Sequence, residues 1–441
     1  MCKHADPAGG FDERKMSIGY ACLTVGVPNT AIRKCLLKNA CEEKLTELIG
    51  HNISALQHMI DYNAANEIRL FRISSGMIPF GSGPVRTPQW KNLFRKELHG
   101  IGDGIKKAGI RVSMHPGQYT VLNSPDKAVA ERAVEDLTYH AEFLDSLGAD
   151  FTNKIILHIG GAYGDKKTAI RRFAERFQDL DEPIKQRLAI ENDDKTYHIG
   201  DALELGARLG LPVVYDNLHN IINCCDPAKD DFYWISQCAS AWKQKDGKQK
   251  VHYSQQNRRK SPGSHSESIA VNEFLSFYAG LGEHKPDIML EVKDKNLSAV
   301  KCINCTTQRR SGKVLEREWS RYKYAVLEKS PGDYKMIREL LRDKTAYPAV
   351  AFYSAVEHAY EQESFHGNSV NTALHIWGYF KNLASSGEKK QFFGLMQAFQ
   401  KNGAPLAPVK RFLLRLSVKH KQEYLLMSYY FLQYEAGQAG G

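Results

Sequence analysis

The feature that most constrains this chain is a recurrence. Eight short β-branched or apolar runs, at residues 17–22, 68–74, 111–116, 154–160, 188–193, 212–217, 250–255 and 287–293, are each followed by a stretch that reads as helix. Such alternation calls for a parallel sheet, because a parallel neighbour is reached only through a long crossover. Eight units in about 280 residues match a closed (β/α)8 TIM barrel. Ser124-Pro125-Asp126 supplies a helix cap with proline at the first helical position. From about residue 301 the strand runs stop. Phe392, Leu395, Met396 and Phe399 then fall at i, i+3, i+4 and i+7, with Gly403 where a left-handed terminator belongs, and Ser330-Pro331 opens another helix. The expected architecture is α/β: residues 1–15 a flexible tail, 16–300 the TIM barrel, 301–318 a linker and 319–441 a smaller all-α domain.

Charge divides along the same boundary. The net charge is +10, yet residues 301–441 hold 21 Lys+Arg against 12 Asp+Glu, leaving the first 300 nearly neutral. A basic segment suggests a polyanionic partner. Arg411, Arg415 and Lys419, at i, i+4 and i+8, would form one positive stripe on a helix. No segment reaches 18 uninterrupted apolar residues, and the N-terminus lacks the apolar core of a signal peptide. Nine scattered cysteines describe no disulfide framework and fit a reducing cytoplasm. Cys302 and Cys305 make a single CxxC, short of the four ligands of a structural zinc site, and read as reduced thiols in the linker.

The chemistry-bearing residues gather at strand ends. The strand of the third run ends in His115, that of the fourth in His158, of the fifth in Glu191 and of the sixth in Asp216, with His219 three residues on. The seventh carries His252, with His265 in the loop beyond, and the eighth ends in Glu291. In a barrel the C-terminal strand ends share one mouth. Period-two alternation then puts Ser113, Ile156, Ala189, Val214, Lys250 and Met289 one layer deeper, where only Lys250 stands out. A lone histidine at a strand end is commonplace. Five imidazoles and three carboxylates in one pocket are costly unless divalent cations relieve them. Mixed His/carboxylate shells suit zinc and manganese, magnesium preferring oxygen, and eight ligands suffice for two or three ions.

These motifs resemble a known family. His115-Pro116-Gly117-Gln118-Tyr119, Leu122-Asn123-Ser124-Pro125, His158-Ile159-Gly160-Gly161, Glu191-Asn192-Asp193-Asp194, Lys250-Val251-His252 and Ser264-His265 are similar to the ultraviolet damage endonucleases, barrels related to the endonuclease-IV type of apurinic-site nuclease. The resemblance implies up to three metal ions, usually manganese, on His115, His158, Glu191, Asp216, His219, His252, His265 and Glu291. Glu191 would bridge two ions and hold the attacking hydroxide. Lys250 matches a lysine carried by the family in carboxylated form, its other reading being a cation on phosphate. Gln118 and Tyr119 match a probe that enters the duplex at the lesion, and Tyr20 a position lining the lesion pocket, although Thr24 stands where the family often has asparagine. Arg72, Arg258, Arg259 and Lys260 are candidate phosphate contacts. Leu374-His375, Gly378-Tyr379-Phe380 and Tyr424-Leu425 resemble a bacterial helical domain of uncharacterised function.

The function so implied is a metal-dependent DNA repair endonuclease in the cytoplasm, at the nucleoid. It would act as a monomer on damaged double-stranded DNA without a nucleotide cofactor, cutting 5′ to the lesion to leave a 3′-hydroxyl and a 5′-phosphate. A sugar or sugar-phosphate isomerase would explain Glu191, Asp216 and Glu291, but gives no role to Gln118-Tyr119. A DNA-binding scaffold with an inert barrel would leave the eight ligands without purpose.

Overall fold

A computed structural model describes residues 16–83, 87–307 and 310–432; the expected tail lies outside them. Eight parallel strands close in sequence order: β1 (Ile18–Cys22), β2 (Leu70–Ile73), β3 (Arg111–Met114), β4 (Ile155–His158), β5 (Leu188–Glu191), β6 (Val213–Asp216), β7 (Lys250–Tyr253) and β8 (Asp287–Leu290). Closure comes from β1 pairing with β8 through Ile18↔Ile288 to Tyr20↔Leu290. Where β1 meets β2, a β-carbon on Gly19 would stand 1.8 Å from the Leu70 carbonyl oxygen. Only glycine lets the strands approach so closely.

The alternation holds through the barrel interior. Ile156, Ala189 and Val214 pack together with Trp242, while Ala21, Leu70 and Met289 form a second inward cluster. Below this layer, where the strands begin, buried charges are matched. Lys154 meets Asp246 at 2.6 Å and donates to the Gln186 carbonyl at 2.7 Å. Arg111 faces Asp287 at 3.3 Å and donates to the carbonyls of Thr152 and Asp246, each at 3.0 Å. Its guanidinium also lies over the Trp242 ring.

Helix Lys127–Ser146 is capped by Asp126, whose carboxylate accepts from the Val129 amide. Ser124 instead accepts from the Asp126 amide, so the cap falls two residues later than the sequence suggested and Pro125 precedes the helix. Ser330 does cap Pro331–Leu340, accepting from the Asp333 amide.

Contacts divide the chain into two compact units. The helical one takes in the described residues from 304 to 432 and two short segments, Val25–Pro28 and Ala270–Leu275, so the domain boundary is not one cut. The expected linker is also mostly helix. Asn296–Thr306 buries Ala299, Val300, Cys302 and Ile303, while Ser311 caps Gly312–Lys329. Cys302 and Cys305 therefore sit one turn apart on a helix. In the helical unit Phe392 and Met396 are buried, with Leu395 and Phe399 packed beside them. Their helix, Ser386–Asn402, ends at Gly403 with φ +64°. No helix among the described residues is long and apolar enough to cross a membrane.

Candidate metal centre

The eight strand-end residues come together at the C-terminal mouth. Glu191 is their hub, fully buried at the end of β5. One of its oxygens meets His115 Nε2 at 2.9 Å and His158 Nε2 at 3.6 Å; the other meets His252 Nδ1 at 2.7 Å and His219 Nδ1 at 3.7 Å. Two groups compact enough for an ion share this carboxylate: His115, His158 and Glu191, and Glu191, Asp216, His252 and Glu291. His265 joins through Glu291 at 3.8 Å and His219 through Asp216 at 3.8 Å.

Local hydrogen bonds aim these side chains. His219 Nδ1 is 2.9 Å from the Asn192 carbonyl oxygen and His115 Nδ1 is 3.0 Å from that of Pro116, bonds that set the orientation of each ring and turn His115 Nε2 to Glu191. Asn192 also accepts from the Asp216 amide and donates to its carbonyl. One oxygen of Asp216 caps the following helix by accepting from the His219 amide at 2.8 Å. Such supports fix ligand orientation.

The electrostatics show strain. Burial pushes Asp216 up to about 6 against the pull of His219, and burial pushes His158 down to about 4 despite Glu191. Burial opposes ionisation of Glu191 too, but His252 and His115 hold it well below the carboxylate range. Asp216 Oδ2 and His252 Nε2 are buried without a hydrogen-bond partner. A buried oxygen and an imidazole nitrogen left bare within a His/carboxylate set are what a divalent cation would satisfy. The residues fit such an ion.

The remaining candidates divide. Gln118 and Tyr119 are exposed beyond β3, Tyr119 by 83%. Arg258 and Arg259 are exposed in the loop after β7, whereas Lys260 is tied to Glu267 at 2.8 Å. Arg72 lines the mouth, paired with Glu291 at 2.5 Å and with its Nε unpartnered. Tyr20 is corrected outright. Gly19 and Ala21 hold the inward parity of β1, so its ring points out of the barrel, fully buried against Phe71. Its hydroxyl donates to Asn63 at 2.9 Å and shares a 2.6 Å bond with Thr24. Lys250 is buried in the barrel with its Nζ unpartnered.

One rim residue was not foreseen. Cys22 lines the mouth with Arg72, His115, Pro116, His158, Glu191, His219 and Glu291. Its φ of +71° breaks the strand alternation, which is why period-two counting from β1 misses it.

Comparison with known proteins is consistent along the chain. Residues 16–313 match the family model described as UV-endonuclease UvdE, and residues 323–435 that of a protein of unknown function, DUF1722. A UV DNA damage endonuclease of Clostridium perfringens is 43% identical over 336 residues, 74% of this chain and 80% of that protein. One from Bacillus cereus is 33% identical over 273 residues, 62% of this chain and 86% of the relative. A crystal structure described as SacUVDE shares 36% identity with a TM-score of 0.62, covering 69% of this chain and 99% of that one.

Proposed function

This chain belongs to the UV DNA damage endonuclease family, and on that premise we propose that it is a metal-dependent DNA repair endonuclease. It nicks duplex DNA 5′ to ultraviolet and other distorting lesions, leaving a 3′-hydroxyl and a 5′-phosphate. The observation carrying this reading is Glu191, a buried carboxylate with imidazoles facing both its oxygens. His115, His158 and Glu191 would hold one divalent ion, and Glu191, Asp216, His252 and Glu291 a second, with His219 and His265 at the edges. Manganese is our first choice. When bound, the ions supply Lewis acidity to the phosphodiester and lower the pKa of the attacking water.

The chain's own groups do the rest. Glu191 orients the water between the two ligand sets and keeps its charge there. Arg72, paired with Glu291, holds that carboxylate in place. Gln118 and Tyr119, exposed at the rim, would enter a base step already weakened by damage, where unstacking costs least. Arg258 and Arg259 meet the backbone.

Purified protein stripped of metal and reloaded with manganese, zinc or magnesium should nick irradiated plasmid in preference to unirradiated plasmid. Nicking that is indifferent to chelator would remove the metal role, and equal nicking of both plasmids would remove the lesion role.

A further inference from the structure

The helical unit carries an aromatic and basic face that the mouth chemistry does not use. Tyr379, just beyond helix His366–Trp377, and Tyr424, on Glu423–Leu426, have rings 6.0 Å apart and 15° from parallel, each 37% exposed. Beneath them Tyr324 is buried and edge-on to both, its hydroxyl bonded to that of Tyr379 at 3.0 Å. That bond fixes the platform. Lys323 Nζ stands 5.1 Å from the Tyr324 ring centre and 5.8 Å from that of Tyr424. On Pro331–Leu340, the Arg338 guanidinium lies 5.8 Å from the Tyr334 ring, which packs on Trp319.

Tyrosine clusters ordinarily finish a hydrophobic core, and Tyr324 does so here. The charges around it are what that role leaves unexplained. Among the described residues neither Lys323 nor Arg338 forms an ion pair with a carboxylate, and the charge that bears on Lys323 is the like charge of Arg338. The stripe suggested by the sequence is less available: Lys419 is tied to Glu388 at 2.6 Å and Arg415 lies over Phe412. Cations without counter-charge beside half-exposed, rigid rings match a ligand with phosphates and flat faces. A duplex hides those faces in its stack, whereas a single strand offers them.

We propose that this face binds a single-stranded stretch of DNA, its bases stacking on Tyr379 and Tyr424 and its phosphates meeting Lys323 and Arg338. The proposal rests on the reading of DNA as this protein's partner. The basic excess of residues 301–441 supplies the long-range attraction.

The test is fluorescence anisotropy of the full chain with labelled oligothymidylate of about 20 nucleotides, long enough to cover one such site. Alanine at both Tyr379 and Tyr424 should weaken binding about 30-fold or more, the lower end for two lost base stacks. Phenylalanine at Tyr424 alone should stay within about threefold, because the π-face remains and the Tyr324–Tyr379 bond is untouched. Lys323→Ala with Arg338→Ala should flatten the dependence of log affinity on log salt. Nicking of irradiated plasmid by the tyrosine variants at saturating DNA should be unchanged. Wild-type protein that binds the oligonucleotide but never nicks would overturn the endonuclease reading and leave this one standing. Alanine variants that bind like wild type, an equal loss of heparin binding, or a preference for oligouridylate RNA would each overturn it. If the alanine variant does not fold, 5-iododeoxyuridine in the oligonucleotide should photocross-link wild-type protein at Tyr379 or Tyr424; cross-links confined to other peptides would overturn it too.

Discussion

Where the strands begin, Lys154 and Arg111 are buried against Asp246 and Asp287, and backbone carbonyls accept further bonds from both. Where the strands end, carboxylates and imidazoles are buried as deeply, yet Asp216 Oδ2 and His252 Nε2 have no partner. Both ends belong to the same barrel and the same strands. Apart from Lys250, whose Nζ is buried without a partner at the start of β7, the base is closed electrostatically and contributes shape; the mouth is left open and contributes affinity for whatever completes it. Charge that is buried and matched reads as structure, while charge that is buried and unmatched reads as a site.

Four experiments bear on that contrast. Glu191→Gln at the hub should lower nicking on the order of 10³-fold while DNA binding survives, since one uncharged amide cannot serve both ligand sets. Plasmid nicking beside a filter-binding assay checks it, and near-normal turnover would remove Glu191 from the mechanism. At the base, Asp246→Ala should cost about 3 kcal/mol, the low end for a broken buried pair because Lys154 keeps its bond to the Gln186 carbonyl. Urea unfolding measures this, and nicking per folded molecule should hold steady.

Metal should distinguish the ends next. Adding manganese to stripped protein at about 100 times its dissociation constant should stabilise the fold by about 2.7 kcal/mol. Thermal scans should show the same gain in Asp246→Ala and a much smaller one in Glu191→Gln; equal gains in both would mean the ion binds elsewhere. The smallest effect belongs to Tyr119→Ala at the rim. It should cut the preference for damaged over intact duplex about tenfold or less and change stability within about 0.5 kcal/mol. Competition between irradiated and unirradiated plasmid reads the first quantity, and an unchanged preference would end the probe role.

The barrel was legible because its signal is redundant. Eight strand runs, each with its helical stretch, repeat one message, and a slip of two residues at Asp126 alters nothing downstream. The metal set was legible for a related reason: period-two alternation carries parity from Ser113 to His115 and from Lys250 to His252. Parity also explains the failures. Tyr20 was placed by likeness rather than by counting from Gly19 and Ala21, which would have turned it outward. Cys22 escapes counting because a positive φ ends the alternation at that residue. Arg72 has the right parity, but no local pattern announces that Glu291, more than two hundred positions later, will claim its guanidinium. The segment at 301–318 carries no strand run and reads as a linker, although Val300 and Ile303 hold helical spacing.

Between the two ends lies the layer of Ile156, Ala189, Val214 and Trp242, with Lys250 its one charged interruption. Hydrocarbon screens charge poorly, so what separates the two ends is the thickness of this layer and the lack, among the described residues, of a hydrogen-bond partner common to both, and losses at the two ends should add rather than compound. A barrel divided in this way can have its rim rewritten for other reactions without being asked to fold again.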